Sequence, residues 1–471
     1  MLQLLLFYKN PILHLSLAST LAFFLTFFRI PILFLFGIHS YIQPDNFNQN
    51  NGVRAAIRRP GNSGSAGSGI EGHQSLSSKT SAELRKRNKS KEKTDFDENK
   101  AQIFRLKLDQ SHLQSRLFAD QYGIAFTISV IAIACLLLVR FLGVSENSGF
   151  LESGVFIPIL LTIIALGMWF LLLTKITFER SASRRSEKQL SVVFGVSGFF
   201  IGILIFSANV FPGILDFNFA SIDGHGRLFI AALMGFLAAF LFIPAERNAR
   251  SFWLGTDQLR CNLSMITCGW FTRTILYTSH ILIIFVALLW ISPLAEIFVN
   301  INNFSDGKRA TSMSKVGNAE KLVGYIGLSR SDFNNFRCWC LLVSSLLQIF
   351  ALRPNLQMYL NEALLSWYQR LHASKVPELD YSRAKVFLHN HYLCLVALQF
   401  LAPPVLVLLF LGFSQIDDRA FDSFPILTSV LSSSALVKEV ALFMAWWVTF
   451  LWALFSSVVL VLHRHCILYV S

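Results

Sequence analysis

Long apolar runs uninterrupted by charge decide what this chain can fold into. A helix needs about 20 apolar residues to cross the hydrocarbon core of a bilayer. Stretches free of Asp, Glu, Lys and Arg recur on that scale: Asn10–Phe28, Gln121–Val139, Ser153–Thr174, Gln189–Leu215, Leu228–Ala245, Thr274–Ala295, Cys338–Leu352, Val386–Ile416 and Val440–His463. In lipid only helices and closed barrels satisfy every backbone group. These runs are continuously apolar rather than alternating, which selects helices. Cys338–Leu352 is the short member, and the flanking Arg337 and Arg353 have stems long enough to snorkel to the two interfaces. The expectation is an all-α, polytopic transmembrane helix bundle of about nine spans, with eight and ten as its bounds. Ile30–Ile42 and Ser423–Val437 are apolar but too short to span, and read as interfacial or re-entrant segments. A hairpin over Ser423–His463 would make the count ten.

Composition agrees. Of 471 residues, 54% are hydrophobic, 45 are Phe and only 15% are charged, against about 25% in a soluble domain. That is too little charge to cover two or three soluble domains, and it excludes disordered, collagenous and disulfide-rich secreted classes. The formal net charge of +13 would suggest nucleic acid in a soluble protein. Here it reads as Lys and Arg gathered in cytoplasmic loops, and no nucleic-acid partner is expected. The seven Cys are irregularly spaced in or beside apolar runs, as buried free thiols are.

Loop charge alternates along the chain. The loops after spans 1, 3, 5 and 7 carry a basic excess, the third through Lys175, Arg180, Arg184, Arg185 and Lys188. The second is flanked by Glu146 and Glu152, the fourth opens with Asp216 and Asp223, and the eighth holds Asp417, Asp418 and Asp422 against Arg419. The alternation supports nine spans and places the N-terminus in the lumen or exterior and the C-terminus in the cytosol, in the endomembrane system or the plasma membrane. The first span is read as retained, since no small-residue cleavage site follows it. Residues 1–42 then form the first span with a short apolar segment, 43–102 a disordered basic cytosolic loop, and 103–471 the membrane bundle. Within the loop, Gly61–Gly69 lacks the context of a phosphate-binding turn. The run Lys79–Lys93, with Arg85, Lys86, Arg87, Lys89, Lys91 and Lys93, is expected to contact anionic lipid at the cytoplasmic surface. Ile103–Asp109 alternates at period two, as a strand does, and Ser111 is placed to cap a helix leading into span 2. Residues 355–375 repeat apolar side chains at helical spacing, which fits an amphipathic interfacial helix and equally a helix packed under the bundle.

Chemistry-bearing motifs are sparse. His389-Asn-His391, His463-Arg-His465 and Cys338-Trp-Cys340 have two-residue spacings, which on a helix point their side chains roughly 200° apart, so no metal site is expected. Neither a His-Glu-x-x-His, nor a nucleophile elbow, nor a phosphate loop is present. The chain is therefore read as a non-enzyme without a cofactor. The polar residues placed inside the membrane are His280, Asn209, Gln348 and Gln399, either bundle glue or a functional path. Of the Asn-x-Ser sequons at Asn88, Asn262 and Asn303, only Asn303 falls in a loop expected to be lumenal, making it the glycosylation candidate.

Four stretches resemble the transmembrane protein 161 family of eukaryotic multi-pass proteins: Ala238–Phe252 (AAFLFIPAERNARSF), Leu352–Leu360 (LRPNLQMYL), Leu398–Leu406 (LQFLAPPVL) and Phe443–His465 (FMAWWVTFLWALFSSVVLVLHRH). The Arg-Pro-x-Leu-Gln-x-Tyr-Leu run and the Trp446-Trp447 pair are the more specific pieces. Residues 43–100 depart from the animal members in composition. The resemblance implies an integral membrane protein without an established catalytic activity, in a family associated with oxidative-stress tolerance and with regulation of ion currents. It carries over no functional residue. Three functions follow in order: a non-enzymatic modulator of ion handling or stress response, acting through other membrane proteins; a transporter or channel with a polar path near His280; and a membrane enzyme.

Overall fold

A computed structural model describes residues 8–42, 54–55, 104–142, 154–179, 183–206, 215–217, 222, 224–260, 269–298, 329–372, 379–416 and 434–467. The chain is a helix bundle with one small sheet. Helix α1 (Lys9–Phe27) is followed by a short α2 (Ile30–Leu35), strand β1 (His39–Ile42), strand β2 (Arg54–Ala55), strand β3 (Phe104–Lys107) and a short α3 (Gln110–Gln114). The long helices α4 (Ala119–Leu142), α5 (Phe156–Phe178), α6 (Arg185–Phe206), α7 (Gly224–Arg260) and α8 (Trp270–Leu288) come next. A short α9 (Ser292–Phe298) precedes α10 (Arg330–Phe350), α11 (Leu352–His372), α12 (Leu379–His391), α13 (Leu393–Ser414) and α14 (Ser434–Arg464).

Among the described residues, eight helices are long and apolar enough to cross a membrane, and the bent pair α10–α11 makes nine. The helices lie on the apolar runs read from the sequence, with bounds shifted by several residues in either direction. The differences have local causes. α10 begins at Arg330 rather than Cys338, because the Ser329 side chain accepts from Asp332 N at the helix start, and because Arg337 is paired inside the bundle rather than snorkelling. α10 and α11 meet at a 46° bend. Pro354 accounts for it: it has no N–H to offer the carbonyl of Phe350, and its ring crowds that carbonyl. By contrast, Pro244, Pro403 and Pro404 lie inside continuous helices. α14 runs unbroken over 31 residues, so the hairpin reading of Ser423–His463 fails from residue 434 onward. Residues 423–433 lie outside the described residues.

α13 is the axis of the bundle. Every residue of its 18-residue apolar window is buried, packed by α14, α10, α4, α5, α7 and α11. The Trp446-Trp447 pair on α14 ties the helices around it. Trp446 Nε1 donates to Ala287 O at 3.0 Å and Trp447 Nε1 to Met234 O at 3.2 Å, so each large ring is buried without orphaning its N–H. α6 and α7 make the closest helix pair. A Cβ added at Gly198 would lie 2.7 Å from Ala238 Cβ, and one at Gly235 would lie 2.8 Å from Gly195 O. In lipid, where apolar burial gives little net drive between helices, such small-residue seams let backbones approach and gain dispersion contacts.

The all-α reading has one exception. Within the alternating run Ile103–Asp109, Phe104–Lys107 forms a strand, and this β3 pairs antiparallel with β1, His39 facing Lys107 and Ile42 facing Phe104. β2 adds to the other edge of β3. The helix after β3 is capped by Asp109, whose side chain accepts from Gln110 N at 2.7 Å; Ser111 lies within that helix and is not its cap.

Candidate functional site

Charge gathers at the end of the bundle where β1, the last turns of α7 and the start of α13 meet. α7 has 37 residues and extends about 55 Å at 1.5 Å per residue, well beyond a hydrocarbon core of about 30 Å. Its stretch after Pro244 supplies Glu246, Arg247 and Arg250. α11 supplies Tyr359 and Glu362, and α12 supplies Lys385 and His389. Spacings of three or four put Glu246 with Arg250, Tyr359 with Glu362, and Lys385 with His389 on common helix faces.

Glu362 is the centre of the cluster, at 1% exposure. Its Oε1 lies 3.0 Å from Arg250 Nε and 3.9 Å from Lys385 Nζ. Arg250 also reaches Glu246 Oε1 at 3.3 Å. Arg247 Nη1 donates to Gln399 Oε1 on α13 at 3.0 Å. One carboxylate thus holds α7, α11 and α12 together, and the neighbouring guanidinium fastens α13. The His389 ring stacks on Tyr359 at 4.5 Å and 22°, and its Nδ1 lies 2.8 Å from Lys385 O. A carbonyl only accepts, so Nδ1 carries the proton and Nε2 is left as an acceptor. Burial pushes the imidazole down to about 4, with Glu362 pulling it up and Lys385 pushing it down; the ring is neutral at pH 7. His389 Nε2, Glu362 Oε2 and Glu246 Oε2 are buried without a hydrogen-bond partner.

The sheet docks against the same place. The Gln357 side chain pairs with one residue of β1 on both sides: His39 N donates to its Oε1 at 2.8 Å, and its Nε2 donates to His39 O at 3.1 Å. Arg353 Nη2 donates to Phe36 O at 2.6 Å. Tyr41 Oη donates to Asn361 Oδ1 at 2.7 Å, and Asn390 Nδ2 donates to Tyr41 O. Burial pushes the Tyr41 phenol up to about 12, so it remains a donor at all ordinary pH. The Arg-Pro-x-Leu-Gln-x-Tyr-Leu run is therefore a docking element: Arg353 and Gln357 hold the chain after α1, Pro354 sets the bend, and Tyr359 carries His389.

The residues singled out from the sequence are placed apart. Gln399 belongs to the cluster. Gln348 is buried on α10. His280 lies edge-on to Phe252, 4.2 Å between centroids at 88°, beside the apolar group of Phe252, Leu276 and Met358. His391 turns away from His389 and stacks on Phe387. His463 stacks on Trp253. Asn209, Asn303 and the basic Arg85, Lys86, Arg87, Lys89, Lys91 and Lys93 lie outside the described residues. Residues 355–375 were open between an interfacial and a packed helix; from Leu356 to Trp367 α11 is buried almost throughout, as a packed helix is. Sequence reasoning missed Arg250 and Glu362. The available signal was Glu362 on the same helical face as Tyr359, within a run whose remaining positions are mostly apolar.

Residues 216–417 match the family described as Predicted transmembrane protein 161AB. Over this segment the chain is similar to that family. No solved structure matches the chain. The family segment runs from Asp216 to the end of α13 and contains every member of the charge cluster, together with Arg353, Gln357 and Asn361. β1 lies outside it, and so does the Trp446-Trp447 pair. The chain is a multi-pass membrane protein in a lipid bilayer.

Proposed function

We propose that this protein is a non-enzymatic modulator of ion handling or stress response that acts through another membrane protein rather than by conducting ions itself. The observation behind this reading is α13: the helix on the bundle axis is apolar, buried throughout its span, and its Gln399 is engaged by Arg247. A conduit needs a wet, polar lining, and the bundle axis is filled with Leu, Val and Phe. The runner-up, a polar path at His280, has to pass the apolar group around Phe252. Purified protein in sealed liposomes separates the two. The modulator gives the flux of protein-free liposomes for potassium, sodium and protons. A flux above that level that disappears with His280→Leu contradicts the proposal and supports the runner-up.

The proposed orientation puts the N-terminus in the lumen or exterior, the charge cluster and the basic run Lys79–Lys93 in the cytosol, and Asn303 in the lumen as a glycan acceptor. A glycosidase-sensitive mass shift lost with Asn303→Gln supports this orientation. A shift lost with Asn88→Gln or Asn262→Gln reverses it. Anionic-lipid contact by the basic run predicts that the synthetic segment binds phosphatidylserine vesicles and is released by salt.

A further inference from the structure

At the opposite end of the bundle the orphaned polar atoms are of the other kind. The Arg337 guanidinium is 3% exposed, lies 4.1 Å over the Trp290 ring and 4.9 Å over the Phe333 ring, and donates through Nη2 to Asn334 Oδ1. Its Nη1 faces Asp216 Oδ2 across 2.9 Å. The same carboxylate is shared: Arg330 Nη2 holds Asp216 Oδ1. Asp216 is fixed in place, since its N–H bonds Trp290 O at 3.4 Å, Leu215 bridges to Ile291, and Phe217 stacks flat on Trp290 at 4.8 Å and 7°.

Among the described residues two guanidiniums therefore answer to one carboxylate, a surplus of one positive charge in this group. With Nη1 taken by Asp216, the buried side-chain nitrogens here without a hydrogen-bond partner among the described residues are Arg337 Nε and Trp290 Nε1. Both are N–H donors. Trp290 is 2% exposed, so its N–H has no bulk water to turn to, and leaving buried donors unmet costs about 1–3 kcal/mol each. A surplus of donors together with a surplus of positive charge defines the missing partner as an acceptor carrying negative charge. The two aromatic faces and Asp216 crowd the guanidinium and favour a compact ligand.

We propose that Arg337, Trp290 and Arg330 form a binding site for a small monovalent anion of the size and charge of chloride. The site is independent of the charge cluster around Glu362 and does not rest on the functional reading above. Asp216 orients both guanidiniums, Arg330 supplies the surplus charge at the mouth, and Trp290 Nε1 and Arg337 Nε are the donors inside.

Thermal unfolding of the purified full chain in detergent tests this, with sodium chloride titrated against sodium gluconate at constant ionic strength. Chloride is expected to raise the midpoint and to saturate. Arg330→Gln removes the surplus charge from a residue that is 63% exposed on its side chain, so the fold tolerates it. Trp290→Phe keeps the stack and removes one donor. Each is expected to raise the half-saturating chloride concentration about tenfold, equivalent to about 1.4 kcal/mol. An equal midpoint in chloride and gluconate overturns the proposal, as does an unchanged chloride response in both variants. A third arm adds phosphatidylglycerol to delipidated protein. Stabilisation by the lipid with no response to chloride assigns the site to a headgroup phosphate and overturns the small-anion reading.

Discussion

Glu362 shows why a charge inside this bundle is structural before it is anything else. A carboxylate at 1% exposure persists only because Arg250 and Lys385 face it; removing one member of such a group leaves the others buried and unpaired, at a cost of about 3–5 kcal/mol. Glu362→Ala should therefore unfold far more readily in detergent than Glu246→Ala, whose side chain is 17% exposed and whose partner is one turn away on the same helix. Equal effects from the two would contradict the central place of Glu362. His389 adds a pH dependence. Its folded pKa of about 4 lies below the ordinary value of about 6.5, so the fold prefers the neutral ring. The resulting stability is present above about pH 6.5 and is lost as the pH falls through about 4. His389→Gln should flatten the melting midpoint over that window, and an unchanged pH profile would rule the ring out as its source. At this scale the sequence was a partial guide. Gln399 stood out in the sequence as a polar residue inside an apolar run, and in the structure it accepts from Arg247; the opposed faces of His389 and His391 follow from helix geometry alone. Arg250 and Glu362 went unread because a charge near the end of an apolar run looks solvent-exposed until a distant helix is known to bring its partner.

The elements divide by whether local signals were enough. The period-two pattern of Ile103–Asp109 marks β3, but its partner β1 lies inside the apolar piece Ile30–Ile42, which carries no alternation to announce it. What makes β1 a strand is tertiary: Gln357 and Asn390 take up its backbone groups. The α10–α11 bend is local, since Pro354 forbids the bond to Phe350. The α6–α7 seam was also written in the chain, as Gly195, Gly198, Gly202 and Gly235, and went unread because spans were sought by hydropathy, to which glycine contributes little. The seam predicts a steric outcome. In Gly235→Ala the new methyl meets the Gly195 carbonyl, which belongs to helix backbone and cannot swing aside, so a loss of about 1–3 kcal/mol is expected. Gly167→Ala on α5, where a Cβ meets nothing within 4 Å, is the matched control. Thermal unfolding of the two variants checks this, and equal midpoints would show that the helices do not approach as closely as drawn.

For the whole molecule, the alternation of charged loops and the count of apolar runs predict an odd number of crossings, because each crossing reverses the side on which the next loop emerges. The helix bundle adds contacts that sequence reading could not supply. Gly154 lies against Asn10 and Pro11, joining the start of α1 to the start of α5 at one end, while Gln357 holds β1 at the other. With the bent pair α10–α11 counted as one crossing, there are nine among the described residues, and an odd number puts the two ends of the chain on opposite faces of the membrane. The charge cluster at one end and the Arg337 site at the other both depend on that count. The direct measurement is accessibility of two epitope tags, one ahead of α1 and one after α14, to antibody in intact cells and after full permeabilisation. The nine-crossing bundle predicts that one tag is stained without permeabilisation and the other only after it; two tags stained together, or both hidden until the membrane is opened, would contradict it.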